Sequence, residues 1–303
     1  MKNVTSKKWL LYFVLGLFVI SSGLILGRMT KSSSQQPVGH RLQWWLSAIN
    51  WDTTRTKETG KGVLVAILDS GVDANHPDLK GKIASEYRVE GLKSDNAKHV
   101  LHGTAVAGIL AGSPSHEKGI LGVAENVQIL SVDVTDQKNG AIEVDNLVEG
   151  IEYAISQKAD ILCISAGVKK DSKKLKQVIE KAYDAGIVIV AASGNYMEND
   201  MLYPAKYKEV LAVGALSKEK NIISPKGKLD KKVIYLPGEN IVTAGSNGGY
   251  TGISGTSAAT PILSGIVALM MERNKQLTND KIMNYFNSYT LDSMDVKKCI
   301  RLK

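Results

Sequence analysis

The sequence predicts a three-layer α/β/α sandwich around a mostly parallel central sheet, preceded by one N-terminal transmembrane helix. Three observations lead there. Short apolar runs rich in β-branched residues recur at 63–68, 127–134, 161–165, 187–192 and 210–215, as in strands buried on both faces. Stretches with helical character, such as 142–157 and 173–185, fall between them, and alternation of strands with helices implies crossovers and a parallel sheet. Residues 9–27 form nineteen positions without a charge, long enough to cross a bilayer.

From the N-terminus, residues 1–8 are a short basic segment with Lys2, Lys7 and Lys8, and 9–27 follow as the anchor. A cleaved signal is the alternative, but no Ala-x-Ala site follows the apolar run. Residues 28–43, with three serines and two glutamines before Pro37, read as a polar linker. Residues 44–303 then form one domain, of a size common for a single α/β unit. An uncleaved single-pass anchor with the domain outside the cell membrane is expected, with secretion as the alternative.

The strand at 63–68 ends in Asp69-Ser70-Gly71-Val72-Asp73, and carboxyl ends of strands are where α/β sheets gather ligand chemistry. His102 opens the small-residue helix that begins His102-Gly103-Thr104-Ala105. The remaining histidines, His40, His76, His99 and His116, read as surface or turn residues. Cys163 lies in an apolar strand, and Cys299 is far away near the C-terminus. That pair suggests a free buried thiol at Cys163, not a disulfide framework. Ser257 lies in Ser254-Gly255-Thr256-Ser257-Ala258-Ala259-Thr260-Pro261, just before an apolar helical run at 262–271. A hydroxyl at a helix start feels unpaired backbone N–H groups and a positive dipole end, the surroundings a developing oxyanion needs. Alone it reads more readily as a helix cap than as a nucleophile, and Pro261 belongs in a first helical turn.

Asp69, His102 and Ser257 follow in the chain order known from subtilisin, and together the three motifs resemble the subtilisin-like serine proteases, or subtilases. Further segments are similar to the same family: Ile120-Leu121-Gly122-Val123-Ala124, Ala191-Ala192-Ser193-Gly194-Asn195, Tyr203-Pro204-Ala205-Lys206-Tyr207, and 210–215. The resemblance covers about residues 44–292 and implies a subtilisin-like fold. It implies that Ser257 attacks the scissile carbonyl, that His102 moves the proton and that Asp69 orients the imidazole. It also implies that Asn195 donates to the oxyanion and that Ser165, Ala166 and Gly167 bind substrate as an added strand. Met201 and Leu202 are expected beside the primary specificity pocket, narrowing it.

Asp78 matches a family calcium ligand. The nearby loop Ser113-Pro114-Ser115-His116-Glu117-Lys118 supplies few of the six to eight oxygens that calcium needs. Asp78 is therefore expected to be a turn residue without clear partners, with no metal ligands and no required cofactor. Secreted relatives usually carry a folding propeptide, for which residues 28–43 leave no room. Some lantibiotic leader peptidases show similar economy, which favours maturation of a precursor over general degradation.

The net charge of +8 does not point to nucleic acid, because the lysines are scattered apart from a cluster at 169–176 on a solvated helix start. A membrane-proximal enzyme near anionic polymers accounts for the charge equally well. A nucleotide-binding fold is disfavoured because Asp69-Ser70-Gly71-Val72-Asp73-Ala74 lacks Gly-x-Gly-x-x-Gly. An esterase is disfavoured because Ser257 lacks a Gly-x-Ser-x-Gly elbow. A monomeric serine endopeptidase acting on peptide or protein is expected, with a non-catalytic peptide-binding pseudoprotease as the remaining alternative.

Overall fold

The computed structural model describes residues 43–51, 57–92, 101–136, 141–195, 200–224, 232–288 and 295–302. The anchor and linker at 9–27 and 28–43 fall outside them apart from Gln43, as do His40 and His99. Among the described residues no helix is long and apolar enough to cross a membrane.

A short helix α1 (Trp44–Ala48) leads to strand β1 (Leu64–Asp69), a 3-10 turn (Pro77–Leu79), β2 (Ile83–Arg88) and helix α2 (Leu101–Ala111). Then come β3 (Gln128–Asp133), α3 (Val144–Ser156), β4 (Ile161–Ile164), α4 (Lys173–Asp184), β5 (Val188–Ala192), β6 (Val210–Leu216) and β7 (Val233–Pro237). A hairpin of β8 (Ile241–Ala244) and β9 (Tyr250–Ile253) precedes α5 (Thr256–Arg273), α6 (Asn279–Ser288) and α7 (Val296–Ile300).

Seven strands form one sheet in the order β2-β3-β1-β4-β5-β6-β7, and every adjacent pair runs parallel. Alternation along β1 divides the core. Val65 and Ile67 pack on the side of α2 and α5, whereas Ala66 and Leu68 face the side of α3 and α4. The expected three layers follow from that division, and the five predicted strands each lie within two residues of their observed ends.

Helix α5 runs through the thicker half of the core. Fourteen of its eighteen residues are buried, so it is apolar around its circumference and owes its position to burial, not to an amphipathic stripe. At its far end the Glu272 carboxylate accepts the backbone N–H groups of Thr59, Gly60 and Lys61 at 2.5, 2.6 and 3.1 Å. That clamp fixes the loop entering β1, the strand that carries Asp69.

Candidate active site

Asp69 ends β1 and is 3% exposed. One of its oxygens accepts the Ser70 N–H at 2.7 Å. The His102 Nδ1 lies 2.8 and 2.9 Å from its two oxygens. An ionised carboxylate only accepts, so Nδ1 carries the proton and Nε2 is left as the basic nitrogen. The negative charge of Asp69 is the main influence on His102; it outweighs burial and raises the imidazole above its usual 6.5.

The start of α2 is docked on the turn after β1 by hydroxyl groups that accept backbone N–H donors. Ser70 Oγ accepts the Gly103 N–H at 3.1 Å, and Thr104 Oγ1 accepts the Asp73 N–H at 2.8 Å. A Cβ on Gly103 would lie 2.1 Å from the Gly71 carbonyl oxygen, so no other residue fits without moving the helix.

Ser257 is the second residue of α5, one position inside the helix, and the N-cap is Gly255 with no side-chain cap. The cap reading of Ser257 is thereby corrected. Its hydroxyl donates to the Ser165 carbonyl at 2.9 Å, and the Ser165 hydroxyl donates to the Ser257 carbonyl at 3.2 Å. Pro261 also departs from expectation, sitting sixth in α5 and beyond its first turn. Proline has no N–H for the carbonyl four residues back, and that carbonyl belongs to Ser257. The Ser165 hydroxyl replaces the missing donor.

Asn195 follows β5 at the rim of the site. Its Oδ1 accepts the Thr256 N–H at 3.1 Å and lies 3.3 Å from the Thr256 hydroxyl. The side-chain oxygen is thus engaged, and the Nδ2 amide is the end left to donate. Gly255 adopts φ +110°, and a Cβ there would come within 2.5 Å of Asn195 Oδ1. The glycine before the Thr-Ser pair is therefore required by both conformation and space.

Ser165 is buried, and Ala166 and Gly167 are half-buried just beyond β4. Val168 closes the segment by exchanging two backbone hydrogen bonds with Tyr203, at 2.8 and 2.9 Å. Leu202 packs against Gly167, where a Cβ would sit 2.7 Å from Leu202 Cβ. Met201 does not join it. It is 3% exposed within the core under α3 and α4, because adjacent residues in extended chain point to opposite sides.

Two expectations about the neighbouring loops are corrected. Asp78 is 1% exposed and fully engaged. It accepts the Ser115 N–H and hydroxyl at 2.8 and 2.7 Å, the Ile120 N–H at 2.9 Å and the Tyr250 hydroxyl at 2.9 Å. Burial pushes this carboxyl up, but the four hydrogen bonds outweigh it and hold it below the usual carboxylate value. A calcium ion needs oxygen acceptors, whereas the groups around Asp78 are donors, so these residues do not fit the ion. His76 is wholly buried, not a surface residue. Its Nδ1 accepts the Asp78 N–H at 3.1 Å, and its Nε2 lies 2.9 Å from the Gly249 carbonyl. Cys163 is free and buried as expected, with burial pushing its thiol up to about 12, the state of an inert thiol.

Comparison with known proteins gives a consistent result. The Subtilase family (peptidase S8) profile matches residues 60–293. An intracellular serine protease of Paenibacillus polymyxa is 35% identical over 83% of this chain and 77% of its own length. The major intracellular serine protease of Bacillus subtilis (strain 168) is 36% identical, with 74% and 72% covered. Subtilisin DY of Bacillus licheniformis is 36% identical, with 76% and 84% covered. Among solved structures, the prenylagaramide maturation protease PagA superposes with a TM-score of 0.65 at 32% identity, covering 78% of this chain and 88% of that one.

Proposed function

The chain belongs to the subtilase family and is a subtilisin-like serine protease, and on that premise we propose that Asp69, His102 and Ser257 act as its catalytic triad. The observation that carries this assignment is the His102 Nδ1–H held by both oxygens of Asp69, which fixes Nε2 as the base. When substrate arrives, the Ser257 hydroxyl turns from Ser165 to Nε2 and gives up its proton as Oγ attacks the carbonyl carbon. The imidazolium passes that proton to the leaving amine, and water then hydrolyses the acyl-enzyme by the reverse proton path. The tetrahedral oxygen is met by the Asn195 amide and the Ser257 backbone N–H, the donors left over once Asn195 Oδ1 is bound to Thr256.

Substrate lies as an added strand along 165–167. The backbone N–H and C=O groups of Ala166 and Gly167 make no hydrogen bond to other described residues, the condition strand addition requires. A fluorophosphonate adduct on Ser257, together with loss of casein cleavage in Ser257→Ala, tests the assignment. A Ser257→Ala protein that still cleaves casein overturns it.

We infer further that the enzyme matures a dedicated peptide precursor while tethered at the cell membrane by 9–27, its catalytic domain outside. The uncharged run between lysines and Arg28 and the likeness to a maturation protease support this reading. Cleavage-site profiling of a peptide library should return a narrow motif, and the full chain should resist carbonate extraction from membranes. Broad cleavage of unfolded proteins would favour general degradation. At Asp78 the donor set favours a fold that needs no calcium.

A further inference from the structure

A second cavity opens at the end of the sheet opposite the triad. Asp69, Ser165 and Asn195 lie at or just past the ends of β1, β4 and β5, whereas Glu209 directly precedes β6 and Asp184 ends the helix that leads into β5. Because these strands run parallel, the two groups occupy opposite ends. Glu180, Tyr183, Asp184, Lys208 and Glu209 line a cavity of about 500 Å³, within the size range of small-ligand sites.

Glu209 is its unusual member. The residue is 7% exposed, and a buried carboxylate is costly unless it is paired and hydrogen-bonded. Its Oε2 is buried without a hydrogen-bond partner among the described residues. Its Oε1 lies 3.7 Å from Lys208 Nζ, too far for a hydrogen bond, and that lysine side chain is 89% exposed. The nearby phenol does not serve it either, because the Tyr183 hydroxyl donates to Asp280.

The helix adds to the same negative potential. Glu180 and Asp184 stand one turn apart on one face of α4, where like charges repel. Asp184 holds the last position of the helix, where the dipole is already negative. Helix stability therefore does not account for them. Lys176 approaches Glu180 only to 4.0 Å, and Lys181 is turned to Glu152 at 3.9 Å. The Asn279 side-chain amide donates to the Tyr183 carbonyl at 2.7 Å, so the start of α6 braces this wall. Three carboxylates and one ammonium thus line the cavity, in a chain whose net charge is +8.

We propose that this cavity binds a guanidinium group, carried by a peptide arginine or by a small guanidine compound, with Glu209 as its two-pronged acceptor. Among the described residues no cluster of acidic, histidine or cysteine side chains is arranged to hold a metal ion. A guanidinium gives a donor to each Glu209 oxygen, sheds its hydration more readily than an ammonium and stacks on an aromatic ring such as that of Tyr183. Rotation about the soft terminal torsion of Glu209 brings both oxygens to the ligand. Occupancy stabilises the fold and, at this distance from the triad, leaves peptide cleavage unchanged.

The test titrates butylguanidinium into the full chain by calorimetry, with butylurea as the uncharged isostere. Butylguanidinium should bind at one site and raise Tm, and butylurea should do neither. Glu209→Gln should weaken binding at least about tenfold while casein cleavage continues, which shows that the variant is folded. Lys208→Ala, an exposed change, removes the competing ammonium and should tighten binding about threefold. Equal heats for the two compounds, or binding that Glu209→Gln and Lys208→Ala leave untouched, overturns the proposal. A Tm raised by calcium or magnesium ions but not by butylguanidinium, and no longer raised in Glu209→Gln, assigns the cavity to a metal and also overturns it. Acetyl-Gly-Arg-Gly-amide, titrated into the Ser257→Ala chain so that it is not consumed, separates the sources. Tighter binding than butylguanidinium supports a peptide arginine, and weaker binding supports a small guanidine compound.

Discussion

The hydroxyls of Ser165 and Ser257 each donate to the other's carbonyl, at 3.2 and 2.9 Å. The exchange joins the chain just past β4 to the start of α5, so the proposed nucleophile is held by the segment proposed to bind substrate. Ser165→Ala leaves the Ser257 carbonyl without a donor, because Pro261 has no N–H to offer. A loss of about 1–2 kcal/mol in urea denaturation is expected, with kcat/KM falling by less than tenfold.

The reacting groups predict a steeper hierarchy. Ser257→Ala should lower turnover about 10⁶-fold, by the measurements on subtilisin. Asn195→Ala should lower kcat by about 10²–10³, the cost of one oxyanion donor. Single-turnover kinetics on one peptide substrate ranks the two.

The pH profile follows from the Asp69–His102 pair. The negative charge of Asp69 raises the imidazole above 6.5, and catalysis needs the neutral ring. The acidic limb of kcat/KM should therefore lie above pH 6.5. Asp69→Asn removes the attracting charge, moves that limb down and lowers kcat by about 10⁴. The sign for folding is opposite. The raised value stabilises the native state fully below the unfolded imidazole value, and this contribution disappears as pH rises through the folded one.

Asp78 titrates in the other direction. Its folded value is held below 3.8, so its contribution to stability is present above that value and lost as pH falls through the folded one. Asp78→Ala strands the Ser115 and Ile120 N–H groups and should cost about 2–4 kcal/mol. Because donors surround this carboxylate, EDTA should leave the wild-type Tm unchanged; a chelator-induced drop would show that an ion supports the fold.

Legibility in the sequence followed range. The strand carrying Asp69, the histidine helix and the serine helix were readable because each is a continuous local pattern. Strand β2 was not, since Ile83-Ala84-Ser85-Glu86-Tyr87-Arg88 alternates half-buried and exposed positions at a sheet edge and contains no apolar run. The burial of His76 is not legible locally, because its ring meets Gly249, 173 positions away. The same holds for the partners of Asp78, one of its donors being Tyr250, 172 positions on. Ser165 was expected only to bind substrate. Its bond to the Ser257 carbonyl follows from the missing N–H of Pro261, a feature visible in the sequence once the helix boundary is known.

The crowding of Gly103 against the Gly71 carbonyl sets a limit on how this enzyme diversifies. The spacing between the His102 ring and the Asp69 carboxylate is set here by two stretches of main chain in contact. Drift in sequence can reshape the rim, the charge and the pocket walls while this joint stays closed to every side chain. A deep mutational scan should return glycine as the single permitted residue at 103, a fixed hinge pin around which new specificities are free to appear.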